Sequence, residues 1–222
     1  RAFMIPLSAI SGSICVIMIL FLATKKLGSQ NITYLILAGI SINAFSGVGI
    51  GILTYLSDET ELRDLTFWSM GSFSAASWKI ILPITSLILI TLIWKIRFAR
   101  SLDIIQLGEI EAKRLGVNVR KLKLNIIVSS AIIIGASVSL SGIIGFVGLV
   151  MPHIIRLICG VKHKIVLVGS ALAGASLLMI SDVICRTIIE PAELPVGLIT
   201  NAIGAPFLLW LIINIRRNEY KN

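Results

Sequence analysis

The chain is 222 residues long, 56% hydrophobic and 14% charged, with a net charge of +9 and a mean hydropathy of +0.97. Soluble domains carry about 25% charged residues, so this composition excludes an ordinary soluble domain and points to several membrane-crossing helices. The three cysteines, Cys15, Cys159 and Cys185, lie in or beside apolar runs and form no CxxC pair. They read as small buried apolar residues rather than metal ligands or a disulfide framework.

A bilayer core of about 30 Å needs roughly 20 helical residues. Seven stretches approach that length, over about 3–24, 32–56, 78–97, 124–141, 143–159, 165–188 and 196–214. The fourth and fifth are nearly continuous and predict two spans with a tight re-entry at Ser141 and Gly142. With the N-terminus outside, the inner segments hold 16 of the 20 Lys and Arg residues, leaving Arg1, Arg63, Lys79 and Arg186 outside. The outer loops carry Asp58, Glu59, Glu61, Asp64, Glu190 and Glu193. The basic balance is therefore the positive-inside bias of a membrane protein and not a nucleic-acid surface.

Small residues recur within the spans, at Gly47, Gly49 and Gly51 and again at Gly169 and Ala173. Such faces let helices approach closely and predict a tightly packed bundle. Trp68, Trp78, Trp94 and Trp210 fall near span ends, where aromatic residues anchor to the interface. Between the third and fourth spans lies QLGEIEAKRLGV, residues 106–117, with four charges inside six positions. Asp103 is a candidate cap for a helix start, Gly116 suits a left-handed stop, and Asn118 a second start. Two short helices are thus expected over 101–123. On the residues alone they are a lipid-surface loop, an interfacial anchor or a docking element for an inner-side partner.

Further along, Pro152 is expected to break the fifth span. His153 and Arg156 lie one turn apart beside it and read as support for the inner end of the bundle. With only two histidines, His153 and His163, a histidine-based metal cage is excluded. Gly142, Gly145 and Gly148 suit close backbone packing at the re-entry. Asp182 and Arg186 sit four apart near the outer end of the sixth span, as an ion pair or as gating residues at the outer mouth. Glu190 and Glu193 follow in the outer loop, as solvated acids or as contacts for an outside protein. No glycine precedes a lysine, so the phosphate-cradling GxxxxGK[ST] loop is missing. No Ser/His/Asp arrangement is supported either. No catalytic residue is assigned, and any chemical energy must come from another polypeptide. An ion-driven carrier would need an acid near the midplane of a broken span, whereas the one acid inside a span is Asp182, near an end and beside Arg186.

Four stretches carry a resemblance. LGEIEAKRLGVNV resembles LGEExAxxLGVNV of the FecCD-type permeases, the membrane subunits of ABC importers for iron chelates and cobalamin. SGIIGFVGLVMPHIIRLICGVKHK is similar to the family's GxIGFVGLxxPHxxRLxxGxDHR, departing at Val161-Lys162, where an acidic residue usually precedes the histidine. SDVICRTIIEPAELPVGLITNAIGAPFLLWLI and WSMGSFSAASW match two further family stretches, and all run in family order over essentially the whole chain. LTFWSMGS resembles the haem-importing branch more than the cobalamin branch.

The resemblance implies an all-α polytopic permease domain over 1–222, about seven spans matching the C-terminal part of a ten-helix subunit. Three N-terminal spans are then missing, in keeping with a start at Arg1. It implies an importer of haem or a ferric siderophore, with a cobalamin importer or an inactive truncated scaffold as alternatives. It implies a bacterial inner-membrane protein that pairs with a second copy of itself, a cytoplasmic ATPase that binds ATP, and an extracytoplasmic substrate-binding protein. It places Leu107, Gly108, Glu109, Ala112, Leu115 and Gly116 against the ATPase, and assigns the chain itself no cofactor or metal.

Overall fold

A computed structural model describes residues 4–26, 32–74, 76–188 and 194–219. Ten helices occur among them: α1 (Met4–Lys26), α2 (Ile32–Leu56), α3 (Glu59–Met70), α4 (Trp78–Arg97), α5 (Ala99–Ile105), α6 (Glu109–Arg114), α7 (Val119–Ser141), α8 (Val147–Cys159), α9 (His163–Ile188) and α10 (Val196–Glu219). All seven expected spans are helical. Four contain stretches long and apolar enough to cross a membrane: Ile36–Leu56, Trp78–Arg97, Val119–Ser141 and His163–Ile188. The other three hold shorter apolar stretches, Pro6–Leu20, Val147–Cys159 and Val196–Leu211.

The exterior is apolar and the interior is small. Phe45, Tyr55, Trp78 and Ile158 are largely exposed, which is the arrangement lipid requires. The buried positions are Ala131, Ala136, Val150, Ser129, Ser141, Ser181 and their like. Without a hydrophobic force between helices in lipid, association rests on close packing of such residues. At the α1–α7 crossing, a Cβ on Gly135 would stand 2.6 Å from Ser13 Oγ, and that hydroxyl lies 3.1 Å from the Ala131 carbonyl. Some buried hydroxyls return their protons to their own helix, as Thr91 does to Leu87 at 2.7 Å and Thr200 to Gly197 at 3.1 Å. Lys95 on α4 donates to Ser130 on α7 at 2.7 Å.

The helices form two groups. α1 and α4 pack on α7, with α2 against α1, and α8, α9 and α10 pack on one another. Substantial contact between the groups lies at two places, α5 against α9 at one end of the bundle and α3 against α10 at the other.

Four expectations are corrected. The outer segment after α2 is not a plain loop: it holds α3, a 12-residue helix with acids in its first turn and no buried residue. The fifth span starts at Val147, not at 143, and its 13 residues reach only about 20 Å. Pro152 lies inside that helix without ending it. Of the three cysteines, Cys185 is buried, whereas Cys15 and Cys159 are exposed.

Candidate functional site

The end of the bundle that the positive-inside bias predicts to face inward carries a projection made of α5, α6 and their turns. Gly108 enters α6 at φ 105° and ψ 152°, a conformation available to glycine alone. At the other end Gly116 has φ 83°. Its N–H bonds the Lys113 carbonyl at 3.0 Å, and the Val117 N–H bonds that of Ala112 at 2.9 Å. This pair of bonds is a Schellman motif, which satisfies the last carbonyls of the helix. Asn118 then caps α7, accepting from the Lys121 N–H at 3.1 Å. The expected stop at Gly116 and start at Asn118 are both present.

Within this knob Leu107, Ile110 and Leu115 are 66%, 70% and 60% exposed. Gly108 and Gly116 are exposed, with open space around them. Ala112 is fully buried, so it faces the bundle and offers no outward contact. A six-residue helix is too short for periodicity to reveal which side faces in. Glu109 is ion-paired with Lys123 at the base of α7, which ties the knob to a span. Arg114 meets Glu111 at 2.9 Å on the surface.

Asp103 does cap a helix, but not its own. It lies within α5, and its Oδ1 accepts the backbone N–H of His163 at the start of α9 at 2.8 Å. His163 Nδ1 stands 2.8 Å from the same oxygen. Two acceptors would repel at that distance, so Nδ1 carries the proton. The Gln106 amide lies 3.2 Å from Nδ1. The sequence held no local signal for this junction, because the partners are 60 positions apart.

The His163 backbone N–H, followed by the His163 side chain, holds the Asp103 carboxyl below its usual range. A depressed carboxylate contributes stability that is present above its unfolded value and is lost as pH falls through the folded one. The α5–α9 junction should therefore persist from neutral pH down past the ordinary aspartate value of about 3.9 and open only in stronger acid. Carbon-13 shifts of the Asp103 carboxyl, followed by titration in detergent, should show a midpoint below that of a free aspartate. A midpoint at or above it would contradict the geometry.

On the outer side Arg186 Nε lies 2.9 Å from Asp182 Oδ2, one turn apart on α9. Glu190 and Glu193 lie outside the described residues. Three glycines meet nearby, from the ends of α3 and α7 and the start of α10. The Ile143 N–H reaches the Trp68 carbonyl at 3.3 Å, and that of Ser72 reaches Ser141 at 2.8 Å. Side chains at Gly71, Gly142 or Gly197 would collide with the Ile143, Trp68 and Met70 carbonyl oxygens respectively. Gly145 closes against Asn201, while Gly148 has open space around it. Of the three glycines expected to pack closely, two do.

Between α7 and α8 the chain is not helical. Phe146 has φ 63°, the one positive value at a non-glycine among the described residues. Its neighbours close a γ-turn, Val147 N–H to Gly145 carbonyl at 2.7 Å, a strained form. Its ring carbons press on Gly204 of α10. On α8, His153 stacks edge-on to Phe207 at 6.4 Å, and its Nε2 is buried without a protein partner. Arg156 is exposed, one turn further toward the inner end.

Comparison with known proteins gives this arrangement a family. The chain is 48% identical over 211 residues to the hemin transport system permease HmuU of Yersinia pestis, covering 95% of this chain and 63% of that protein. It is 39% identical over 207 residues to the vitamin B12 import permease BtuC of Vibrio vulnificus, covering 93% and 62%. It thus spans a little under two thirds of the length of these relatives. A solved structure described as an inward-facing metal-chelate type ABC transporter superposes with a TM-score of 0.83 at 29% identity, over 96% of this chain and 72% of that one. The sequence model of the FecCD transport family matches residues 1–214, and the chain belongs to that family.

Proposed function

We propose that this chain is the membrane permease of an ABC importer for an iron chelate, with haem the first candidate, and that a separate subunit hydrolyses the ATP. The observation that carries this reading is the knob. Three large apolar side chains, Leu107, Ile110 and Leu115, stand exposed on and beside a short helix that is capped at its end and clipped to a span. Exposed leucines on a firm projection suit a cleft on an inner-side protein. In this reading Leu107, Gly108, Glu109, Leu115 and Gly116 meet the ATPase, and Ala112 seats the helix on the bundle from behind.

The remaining assignments follow the same reading. Asp182 and Arg186, with Glu190 and Glu193, serve the outer mouth, in gating or in contact with the substrate-binding protein. Pro152, His153 and Arg156 support the inner end. A second copy completes the pathway in a bacterial inner membrane. The chain supplies no metal ligand, since a chelate arrives with its iron already coordinated. Haem ranks before cobalamin because the relative named for hemin transport is 48% identical and the relative named for vitamin B12 is 39% identical.

The test is uptake by cells with and without the full-length gene, supplied with labelled haem, a labelled ferric hydroxamate or labelled cobalamin. Haem uptake that disappears on deletion is the expected result. Loss of cobalamin uptake alone would move the substrate to the corrinoid class. No change with any of the three would sink the importer reading.

A further inference from the structure

The two helix groups raise a mechanical question. The knob is covalently continuous with α4 and α7, so force applied to it enters the first group directly. α8, α9 and α10 receive no such connection on the inner side. Their substantial inner contact with the rest of the chain is α5 against α9, and the polar centre of that contact is Asp103 with His163.

The start of α9 is built around this contact. The first N–H groups of a helix have no partner within it, and a side chain just upstream usually supplies one. Here the preceding residues are Val161 and Lys162, neither of which accepts a hydrogen bond through its side chain. The acceptor comes instead from α5, and its negative charge also suits the positive end of the helix. α9 is therefore completed by the element that carries the knob.

We propose that Asp103 and His163 are positioning residues that pass the movement of the knob to the α8–α10 group. The proposal rests on the reading of α5 and α6 as the ATPase-docking element. Movement then enters both groups together, through Glu109 and Lys123 into α7 and through Asp103 and His163 into α9. Without the second path the ATPase drives the first group alone, and ATP is spent with little transport.

The test uses the full-length permease with its ATPase and binding protein in liposomes. Three quantities are read: affinity for the ATPase, ATP hydrolysis, and chelate transported per ATP. Asp103→Ala should bind the ATPase and hydrolyse ATP normally, while transport per ATP falls about tenfold, within the usual range of coupling between sites. Asp103→Asn keeps a carbonyl oxygen for both His163 donors and should stay near the wild-type ratio. Spin labels on α7 and α9 give a second readout: on ATP binding both helices should move in the wild type, and α7 alone in Asp103→Ala. Normal ATPase binding with an unchanged ratio and unchanged α9 movement in Asp103→Ala would overturn the proposal and leave Asp103 as a simple cap. A wild-type permease that does not bind the ATPase would instead overturn the docking reading, and the proposal with it.

Discussion

Gly142→Ala should lower the stability of the protein by about 4 kcal/mol or more, a large share of what holds most proteins folded. Two costs combine. The backbone at Gly142 has φ 68° and ψ −161°, a region essentially restricted to glycine. The added methyl group would also fall on the Trp68 carbonyl oxygen, which already accepts the Ile143 N–H. Backbone cannot turn aside as a flexible side chain does. Gly197→Ala meets the same obstacle at the Met70 carbonyl and should behave alike. The control is Gly49→Ala on α2, where nothing in the chain lies within 4 Å of the new atom. There alanine should gain about 0.5–1 kcal/mol from helix propensity. Thermal unfolding of the purified variants in detergent, followed by tryptophan fluorescence, checks all three. If Gly142→Ala melts with the wild type, the three-glycine junction is not a packing constraint.

Leu107→Asp should act in the opposite way, leaving the fold intact and removing function. Leu107 is 66% exposed, and surface changes of this kind usually stay within about 0.5 kcal/mol. An apolar residue at the centre of a docking contact is worth about 2 kcal/mol or more, or roughly 30-fold in affinity. Titration of the ATPase against the permease in lipid nanodiscs should show that loss, with melting unchanged. Leu115→Asp, at the other end of α6, should add to it. Unaltered affinity in the double variant would refute the knob as the docking element.

The helices were legible because lipid leaves the chain little choice. Backbone groups without water must pair within a segment, so each span announces itself as a long apolar run. The end of α6 and the start of α7 were legible for a different reason: Gly116 and Asn118 are local signals acting within three residues. What escaped the sequence is what hydropathy does not encode. Ile143 and Ile144 are as apolar as any helical residue, so the extended stretch before α8 read as part of a span. α3 was overlooked because its charges suggested a loop, although Glu59 and Glu61 at its start and Leu62 and Leu65 a turn later form a helical pattern. Asp103 was identified as a cap but assigned to the wrong helix, since nothing near it in the chain points to His163.

The shortness of α8 has a consequence for how the protein is made. At about 20 Å it does not cross a core of about 30 Å, and the outer part of its path is the non-helical stretch before it. A translocon that releases helices sideways one at a time has no complete span to release here. Insertion of α7 and α8 together as a hairpin is the expected route, and in the folded chain Ile143 and Ser141 bond Trp68 and Ser72 at and just beyond the end of α3. Even then the bend at Gly145 and Phe146 lacks its cover, because Asn201 and Gly204 belong to α10, which follows α8 and α9 in the chain. Until those residues arrive the bend stays uncovered, so the α7–α8 hairpin depends for its completion on a helix made after it.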